Sequence, residues 1–292
     1  MYDDVIMNHY GFYSLKVLPS NEERIAYYRD RYYNDDSQGF ATHYSDHEMR
    51  FFEAKLEQKL LLIKAHLPTP LSLIDIGCGE GFAVSFFKRR GFAVLGLDYS
   101  DAGIKNHNID ILDSVIIGDV FDSLNDLITL EKQFDVVNMD CVLEHITDPA
   151  KLLKLVNRLM RKGSIAIIKV PNDFSVLQQY FINNGIFSKP HWVAPLDHIS
   201  YFNSEGLINI CAAYGFRNLE ILGNYMTEFF ALNPNTNYFE NPEVGKSCHL
   251  ARVALENLLH SISPEKTLAL YRTLGEMGLG REIIGVFTKE GS

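Results

Sequence analysis

A glycine-rich segment, LIDIGCGEG at residues 73–81, constrains the fold of this chain more than any other feature. An apolar run ends there in Asp75, and glycines follow at positions 77, 79 and 81 before a helical pattern begins. Glycines let the backbone turn sharply and let a ligand approach with no Cβ in the way. The G-x-G-x-G spacing differs from the dinucleotide fingerprint G-x-G-x-x-G, and the Gly-Lys-Ser/Thr of a phosphate loop is missing. Because the Asp75 carboxylate would repel a pyrophosphate, the segment predicts a site for a ligand with an ammonium group and no phosphate.

Strands and helices alternate along the chain after Pro70. The apolar runs that predict strands are residues 71–76, 92–97, 114–117, 134–139, 164–170, 216–222 and 282–288. An earlier helix is predicted to begin at Ser45, because Ser45 and Glu48 have the spacing of a capping box. The β-α-β-α order predicts an α/β fold with a mostly parallel sheet and helices on both faces. Apolar runs without alternation are typical of strands that are buried on both faces.

Acidic residues end three neighbouring strands of this predicted sheet. Asp75 ends the first, Asp98 the second and Asp119 the third. The carboxyl ends of parallel strands share one edge of the sheet, where open α/β sheets bind ligands. A carboxylate at the position of Asp98 can accept hydrogen bonds from the hydroxyls of a ribose. The three acids and the glycine loop together predict a site for a nucleoside-containing ligand.

On these residues the sequence resembles the class I S-adenosylmethionine-dependent methyltransferases of small-molecule type. The matching segments are DIGCGEG (75–81), LDYS (97–100), GDV (118–120), DCVLEHITDP (140–149) and KVPN (169–172). The resemblance covers about residues 70–225 and the final strand. It implies a Rossmann-like, doubly wound, seven-stranded sheet whose last strand is antiparallel, with an N-terminal helical arm and a helical insertion before that strand. It also implies S-adenosylmethionine as cofactor and S-adenosylhomocysteine as product.

The resemblance also implies a set of cofactor-binding residues. In the family the glycine loop holds the methionine part, the acid matching Asp98 binds the ribose, and the next residue lies beside the adenine. The residues that match are Asp75, Gly77, Cys78, Gly79, Gly81, Asp98, Tyr99, Asp119, Val120 and Asp140. Arg31, in a tyrosine-rich N-terminal arm, is a candidate to close over the methionine carboxylate, and the alternative is an arginine on the solvated surface.

Two histidines are candidates for a catalytic base. Methyl transfer requires the nucleophile and the methyl carbon to be close and aligned, and an oxygen nucleophile must also lose a proton. Histidine is the usual base near neutral pH. His145 follows the fourth strand and His198 lies in PLDHISYF after the fifth, whereas His191 is a weaker candidate. A structural role is the alternative for each of them.

A metal site is not predicted. The segment EHITDP is similar to quinone-type O-methyltransferases, in which a Glu-x-x-Glu-His set binds a divalent metal. Here Cys141 occupies the first position of that set, so that Cys141, Glu144 and His145 do not reproduce the ligands. Asp140 is the one residue nearby that would substitute for the missing glutamate.

The chain of 292 residues is longer than a minimal α/β domain of this kind requires, and we divide it into three parts. We predict an N-terminal arm or lid with a helix (1–67), a cofactor-binding core (68–225 and 281–292), and an inserted helical subdomain (226–280). The insertion would serve either as the surface of a homodimer or as a cap over the substrate. The resemblance to bacterial sugar and natural-product enzymes predicts methyl transfer to a hydroxyl or amine of a sugar, nucleotide-sugar or secondary metabolite. The alternatives are a quinone-type O-methyltransferase and a non-catalytic, S-adenosylmethionine-binding regulatory protein.

Charge and hydropathy argue against nucleic acid as a partner and against a membrane span, and they predict where in the cell the protein is found. Lys and Arg total 27 and Asp and Glu total 37, for a formal net charge of −10, which opposes binding to nucleic acid. The apolar runs are much shorter than the roughly 18 residues that a transmembrane helix needs. The acidic N-terminus lacks an apolar signal core, and the four cysteines show no CxxC spacing. We therefore expect a cytoplasmic protein that acts on a small-molecule acceptor.

Overall fold

The apolar runs form the strands of a central sheet in a computed structural model, which describes residues 3–20, 22–23 and 43–290. In chain order the strands are β1 (Val5–Met7), β2 (Tyr13–Leu15), β3 (Ser72–Ile76), β4 (Ala93–Asp98), β5 (Val115–Ile117), β6 (Phe134–Asp140), β7 (Met160–Pro171), β8 (Ser200–Tyr201), β9 (Phe216–Gly223) and β10 (Glu282–Lys289). The α-helices are α1 (Asp46–His66), α2 (Phe82–Arg89), α3 (Ala102–His107), α4 (Val120–Thr129), α5 (Pro149–Arg158), α6 (Val176–Asn183), α7 (Ser204–Ala213), α8 (Gly245–Ile262) and α9 (Pro264–Glu276). Short 3₁₀ turns occupy Ile109–Ser114, Leu143–His145, Thr227–Leu232, Pro234–Thr236 and Pro242–Val244.

The large sheet has seven strands in the order β5-β4-β3-β6-β7-β10-β9. Strands β3 to β7 pair in parallel, whereas β10 runs antiparallel to both β7 and β9. This arrangement confirms the predicted Rossmann-like sheet with an antiparallel last strand. It also places the ends of β3, β4, β5, β6 and β7 at one edge, where the candidate residues gather.

Consecutive residues of the central strands enter different apolar clusters, which explains why the strand sequences do not alternate. In β3, Leu73 packs with residues of α1, α2 and α9, whereas Ile74 packs with residues of α4, α5 and α7. Both side chains have no exposed surface. Burial on both faces selects apolar residues at every position of such a strand.

The helices begin where the sequence offers capping residues. Ser45 caps α1, and its side chain and that of Glu48 form the predicted capping box. Ser263 caps α9, with Pro264 in the first turn. Helix α8 packs on α1, and α9 packs on β9 and α1, so that the 226–280 insertion shares an apolar cluster with the sheet. Among the described helices, none is long and apolar enough to cross a bilayer.

The N-terminal segment contains strands that the sequence did not predict. Strands β1 and β2 form a hairpin, and β2 pairs with β8 in a separate antiparallel sheet. Tyr13 stacks on Phe174, just after β7, and Phe12 packs on Phe202, so the hairpin lies beside the loops that carry the second candidate histidine. Strands of three residues are too short to show an alternating pattern in the sequence.

Candidate cofactor and acceptor site

The glycine loop between β3 and α2 adopts a backbone that requires glycine. Gly77, Gly79 and Gly81 have φ angles of 71°, 54° and 77°. A Cβ on Gly77 would lie 2.4 Å from a methyl group of Val142, whereas a Cβ on Gly79 would meet no atom within 4 Å. Gly77 is thus required by packing as well as by backbone angle, and Gly79 borders open space in which a ligand has room.

Asp98 joins the end of β4 to this loop. Its carboxylate accepts hydrogen bonds from the backbone N–H of Gly79 at 2.7 Å and from that of Ser100 at 3.1 Å. Burial raises the pKa of Asp98, and these amide hydrogen bonds partly oppose the increase. Tyr99 is 69% exposed beside it. Asp98 therefore holds the glycine loop in place as well as standing where a ribose is expected.

The third acid of the edge caps a helix. Asp119 lies before α4, exposed, and one oxygen of its carboxylate accepts from the backbone N–H groups of Phe121 and Asp122 at 2.8 and 3.1 Å. Val120 begins that helix. The structure thus brings Asp119 and Val120 to the same edge as the glycine loop, as the sequence predicted.

A buried polar chain lies beneath the glycine loop. The side-chain amide of Asn138 donates to Asp75 at 2.6 Å, and Lys59 of α1 donates to Asn138 at 2.8 Å. Lys59 also forms an ion pair with Asp140, which lies 3.8 Å from Lys169. Burial raises the pKa of Asp75 to about 7. Lys59 was missed by sequence reasoning, because a lysine in an amphipathic helix is ordinarily assigned to the solvent face.

The two candidate histidines meet at the ends of β6 and β7. The ring centroids of His145 and His198 are 4.9 Å apart, and the rings are steeply inclined at 73°. The backbone N–H of Ile199 donates to the carbonyl of Glu144 at 2.8 Å and joins the two loops. Asp197 lies between the histidines: its Oδ1 is 3.3 Å from His145 Nδ1, and its Oδ2 is 3.7 Å from His198 Nε2.

The two histidines differ in their affinity for protons. Burial by itself would lower the pKa of His145, but the hydrogen bond to Asp197 and the charges of Glu144 and Asp197 raise it to about 9. Burial and the charge of His145 lower the pKa of His198 to about 4. At neutral pH, His145 is therefore the imidazolium and His198 the neutral imidazole, which has a lone pair to accept a proton.

Two buried carboxyl groups adjoin the histidines. Glu144 precedes His145, and Asp173 follows β7 with its Oδ2 4.0 Å from His198 Nδ1. Both residues are 1% exposed. Burial raises the pKa of Glu144 to about 7 and that of Asp173 to about 8. The sequence indicated Glu144 only as part of an incomplete metal motif, and no sequence signal indicated Asp173.

The remaining candidates lie apart from this pair or outside the described residues. His191 pairs with Glu240 at 2.9 Å. Cys141 lies 3.7 Å from a carboxylate oxygen of Glu282 and has a positive φ of 53°. Arg31 lies outside the described residues.

The expectation that the chain binds no metal stays a prediction. One potential ligand atom from each of Glu144, His145 and His198 falls within a group no more than 4.8 Å across. This set differs from the sequence motif, which placed Cys141 in the first position.

Comparison with known proteins gives a family match over most of the chain. A family model described as a methyltransferase domain matches residues 45–221. The ubiquinone biosynthesis O-methyltransferase of Nitrosomonas europaea is 24% identical over 176 residues, which cover 56% of this chain and 73% of that protein. The protein of that name from Pseudomonas aeruginosa strain PAO1 is 30% identical over 102 residues, which cover 34% of this chain and 44% of that protein.

Solved structures share the fold at low sequence identity. A SAM-dependent methyltransferase from Archaeoglobus fulgidus is 19% identical with a TM-score of 0.53, over 84% of this chain and 95% of that chain. The plantazolicin methyltransferase BpumL, solved in complex with SAH, is 18% identical with a TM-score of 0.52, over 92% of this chain and 96% of that chain.

Proposed function

The chain belongs to the class I S-adenosylmethionine-dependent methyltransferases, and we propose that it methylates a hydroxyl or an amine of a small polar molecule, such as a sugar, a nucleotide-sugar or a secondary metabolite. One observation carries this proposal. Gly77 of the cofactor loop packs against Val142, at the start of the turn that holds Glu144 and His145. The loop expected to hold the methionine part therefore adjoins the histidine pair, so that a proton acceptor stands next to the reacting atoms.

The residues at the sheet edge fit the cofactor. Gly79 leaves open space beside the loop, the loop carries no basic residue for a phosphate, and the Asp98 carboxylate lies against the loop at the end of β4, where we expect the ribose. We assign Asp98 to the ribose, Tyr99 to the adenine face, and Asp119 with the Val120 amide to the adenine edge. When bound, S-adenosylmethionine supplies an electrophilic methyl carbon, and the pair of electrons of the broken S–C bond stays on sulfur.

We assign the removal of the acceptor's proton to the histidine pair. Neutral His198 accepts the proton that the acceptor loses, while the His145 imidazolium, held by Asp197, stays charged and orients the pair. Two histidines with one positive charge between them thus separate the roles of base and fixed charge.

A quinone-type O-methyltransferase is the second candidate, favoured by the names of the relatives. The buried carboxyl groups beside the histidines argue for a polar acceptor rather than an apolar quinone, because an apolar ring would leave them without partners. Activity assays with sugars, amines and quinols distinguish the two candidates. They also distinguish either enzyme from a non-catalytic protein that binds the cofactor.

Calorimetry with S-adenosylhomocysteine tests the cofactor site. We expect the wild type to bind it, and Asp98→Ala to bind it about ten- to a hundredfold more weakly, since hydrogen bonds to a charged group are lost. Asp126→Asn, which changes an exposed carboxylate on α4, is the matched control. Absence of binding by the wild type, or equal binding by Asp98→Ala, would contradict the assignment.

A further inference from the structure

Glu144 and Asp173 are buried carboxyl groups, and three of their four oxygens lack a hydrogen-bond partner in the part of the chain that the structure describes. Both Glu144 oxygens and Asp173 Oδ2 have no hydrogen-bond partner among the described residues. Two neutral atoms nearby also lack a hydrogen-bond partner among the described residues: Nδ1 of His198 and the side-chain oxygen of Gln178. Gln178 is 1% exposed. Several acceptor atoms therefore gather where β6 and β7 end, and they need donors from a ligand.

Cationic side chains are also scarce next to these two carboxyl groups. Within residues 3–20, 22–23 and 43–290, no lysine or arginine nitrogen lies within 4.0 Å of either carboxyl group. Arg281 pairs with Glu228 at 3.2 Å, and Lys169 pairs with Glu282 at 3.3 Å. For Glu144, the one cation within this distance among the described residues is the imidazolium of His145, 3.8 Å from Oε1, and Asp197 already shares it. The charge of Arg281 acts on Asp173 from beyond 4.0 Å.

An alkylammonium group supplies what is lacking. It brings one positive charge and up to three N–H donors, which match the two oxygens of Glu144 and one of Asp173. We propose that Glu144 and Asp173 bind the ammonium group of an amine acceptor, so that the methyl group is transferred to nitrogen. This inference rests on the proposed function and names the acceptor class of the same site.

A divalent metal fits the same atoms less well. The lone pair that His145 would offer a metal is on Nε2, because Nδ1 faces the Asp197 carbonyl at 2.7 Å, and the charges of Glu144 and Asp197 favour the protonated ring, in which that nitrogen carries a proton. Asp173 lies outside the group of potential metal ligands, although its oxygen lacks a donor. A hydroxyl acceptor would supply a donor but no charge.

The proton balance follows from the arrangement. The bound ammonium loses one proton to Nδ1 of His198, which lies 4.0 Å from Asp173 Oδ2. The neutral nitrogen then uses its lone pair for the new N–C bond while the S–C bond breaks, and the electron pair of that bond stays on sulfur. The product is an N-methylammonium, and the proton on His198 passes to solvent.

A pair of small probes tests this acceptor class. Ethanolamine and ethylene glycol differ in one group, and each is titrated into the wild-type protein saturated with S-adenosylhomocysteine, with EDTA present. We expect ethanolamine to bind at least about tenfold more tightly, and Glu144→Gln and Asp173→Asn each to lose about tenfold or more. Asp126→Asn should bind ethanolamine like the wild type. Thermal melts of both variants verify that they are folded.

The outcomes separate this inference from the proposed function. Equal binding of the two probes, no binding of ethanolamine, or unchanged binding by both folded variants would overturn the amine site. Ethanolamine binding that appears only when Mg²⁺ or Mn²⁺ replaces EDTA would also overturn it, in favour of a metal. Failure of the wild type to bind S-adenosylhomocysteine overturns the proposed function instead.

Discussion

Replacing Glu144 by glutamine should make the stability of the ligand-free protein less sensitive to high pH. The side chain is 1% exposed, and its carboxylate oxygens have no donor among the described residues. Ionising such a group inside the protein is costly, because the interior solvates the charge less well than water does. Glutamine keeps the shape of the side chain and removes the charge.

The magnitude follows from the pKa of Glu144, which burial raises from 4.5 to about 7. At about 1.4 kcal/mol for each pKa unit, this difference corresponds to roughly 3 kcal/mol. The folded state holds the proton more tightly than the unfolded chain does. The cost is therefore absent below the unfolded pKa, grows as the pH rises, and is complete above the folded pKa. A buried amide without partners costs about 1–3 kcal/mol, but at every pH equally.

Urea unfolding at pH 5 and pH 8 measures the effect. We expect the free energy of unfolding of Glu144→Gln, relative to wild type, to rise by about 2–3 kcal/mol between the two conditions. Asp126→Asn should show no such change, because that carboxylate is exposed. A difference between Glu144→Gln and wild type that stays constant with pH would refute the reasoning that Glu144 is an unpaired buried acid.

Three further substitutions test other parts of the site. Gly77→Ala should lower the free energy of unfolding by about 1–3 kcal/mol, because its Cβ would lie 2.4 Å from Val142. Gly79→Ala has open space around the Cβ but is strained by the φ of 54°, and it should in addition weaken S-adenosylhomocysteine binding; calorimetry that shows wild-type binding would contradict this. His145→Gln should destabilise most at pH 6 and progressively less toward pH 10, because the pKa of His145 is raised from 6.5 to about 9, so that its stabilisation is complete below 6.5 and lost above 9. Lys59→Met should lower the free energy of unfolding by about 1–3 kcal/mol in denaturant melts, since the buried Asn138 loses the donor to its amide oxygen while Asp140 keeps Lys169 at 3.8 Å, and a loss below 1 kcal/mol would argue against that role.

The sequence predicted the sheet and the cofactor loop because their signals are local. The central strands are apolar at successive positions since both faces are buried, and Ser45 and Ser263 begin their helices through hydrogen bonds to backbone groups a few residues away. The three-residue strands of the N-terminal hairpin carry too few positions for a pattern, and their partner β8 lies far along the chain. The structure alone shows that pairing.

The arrangement of the residues on the acceptor side could be found only from the tertiary structure. The sequence indicated His145 and His198 separately, and the structure brings the rings together through the backbone link between Ile199 and Glu144 and the contact of His145 Nδ1 with the Asp197 carbonyl. The roles of the two histidines also depend on their neighbours, because Asp197 and Glu144 raise the pKa of His145, whereas burial and the charge of His145 lower the pKa of His198.

The sequence by itself therefore determined an α/β fold with a mostly parallel sheet and the glycine loop at its edge, since backbone angles and runs of apolar residues are properties of short segments. The resemblance of its motifs to a known family indicated the seven-stranded arrangement and the class of cofactor. The tertiary structure decided which carboxyl groups are buried without a cation, and hence where Glu144 and Asp173 stand relative to the histidines. The physical reason is that the charge of a buried acid depends on solvent exclusion and on groups from other strands, which no local sequence pattern records.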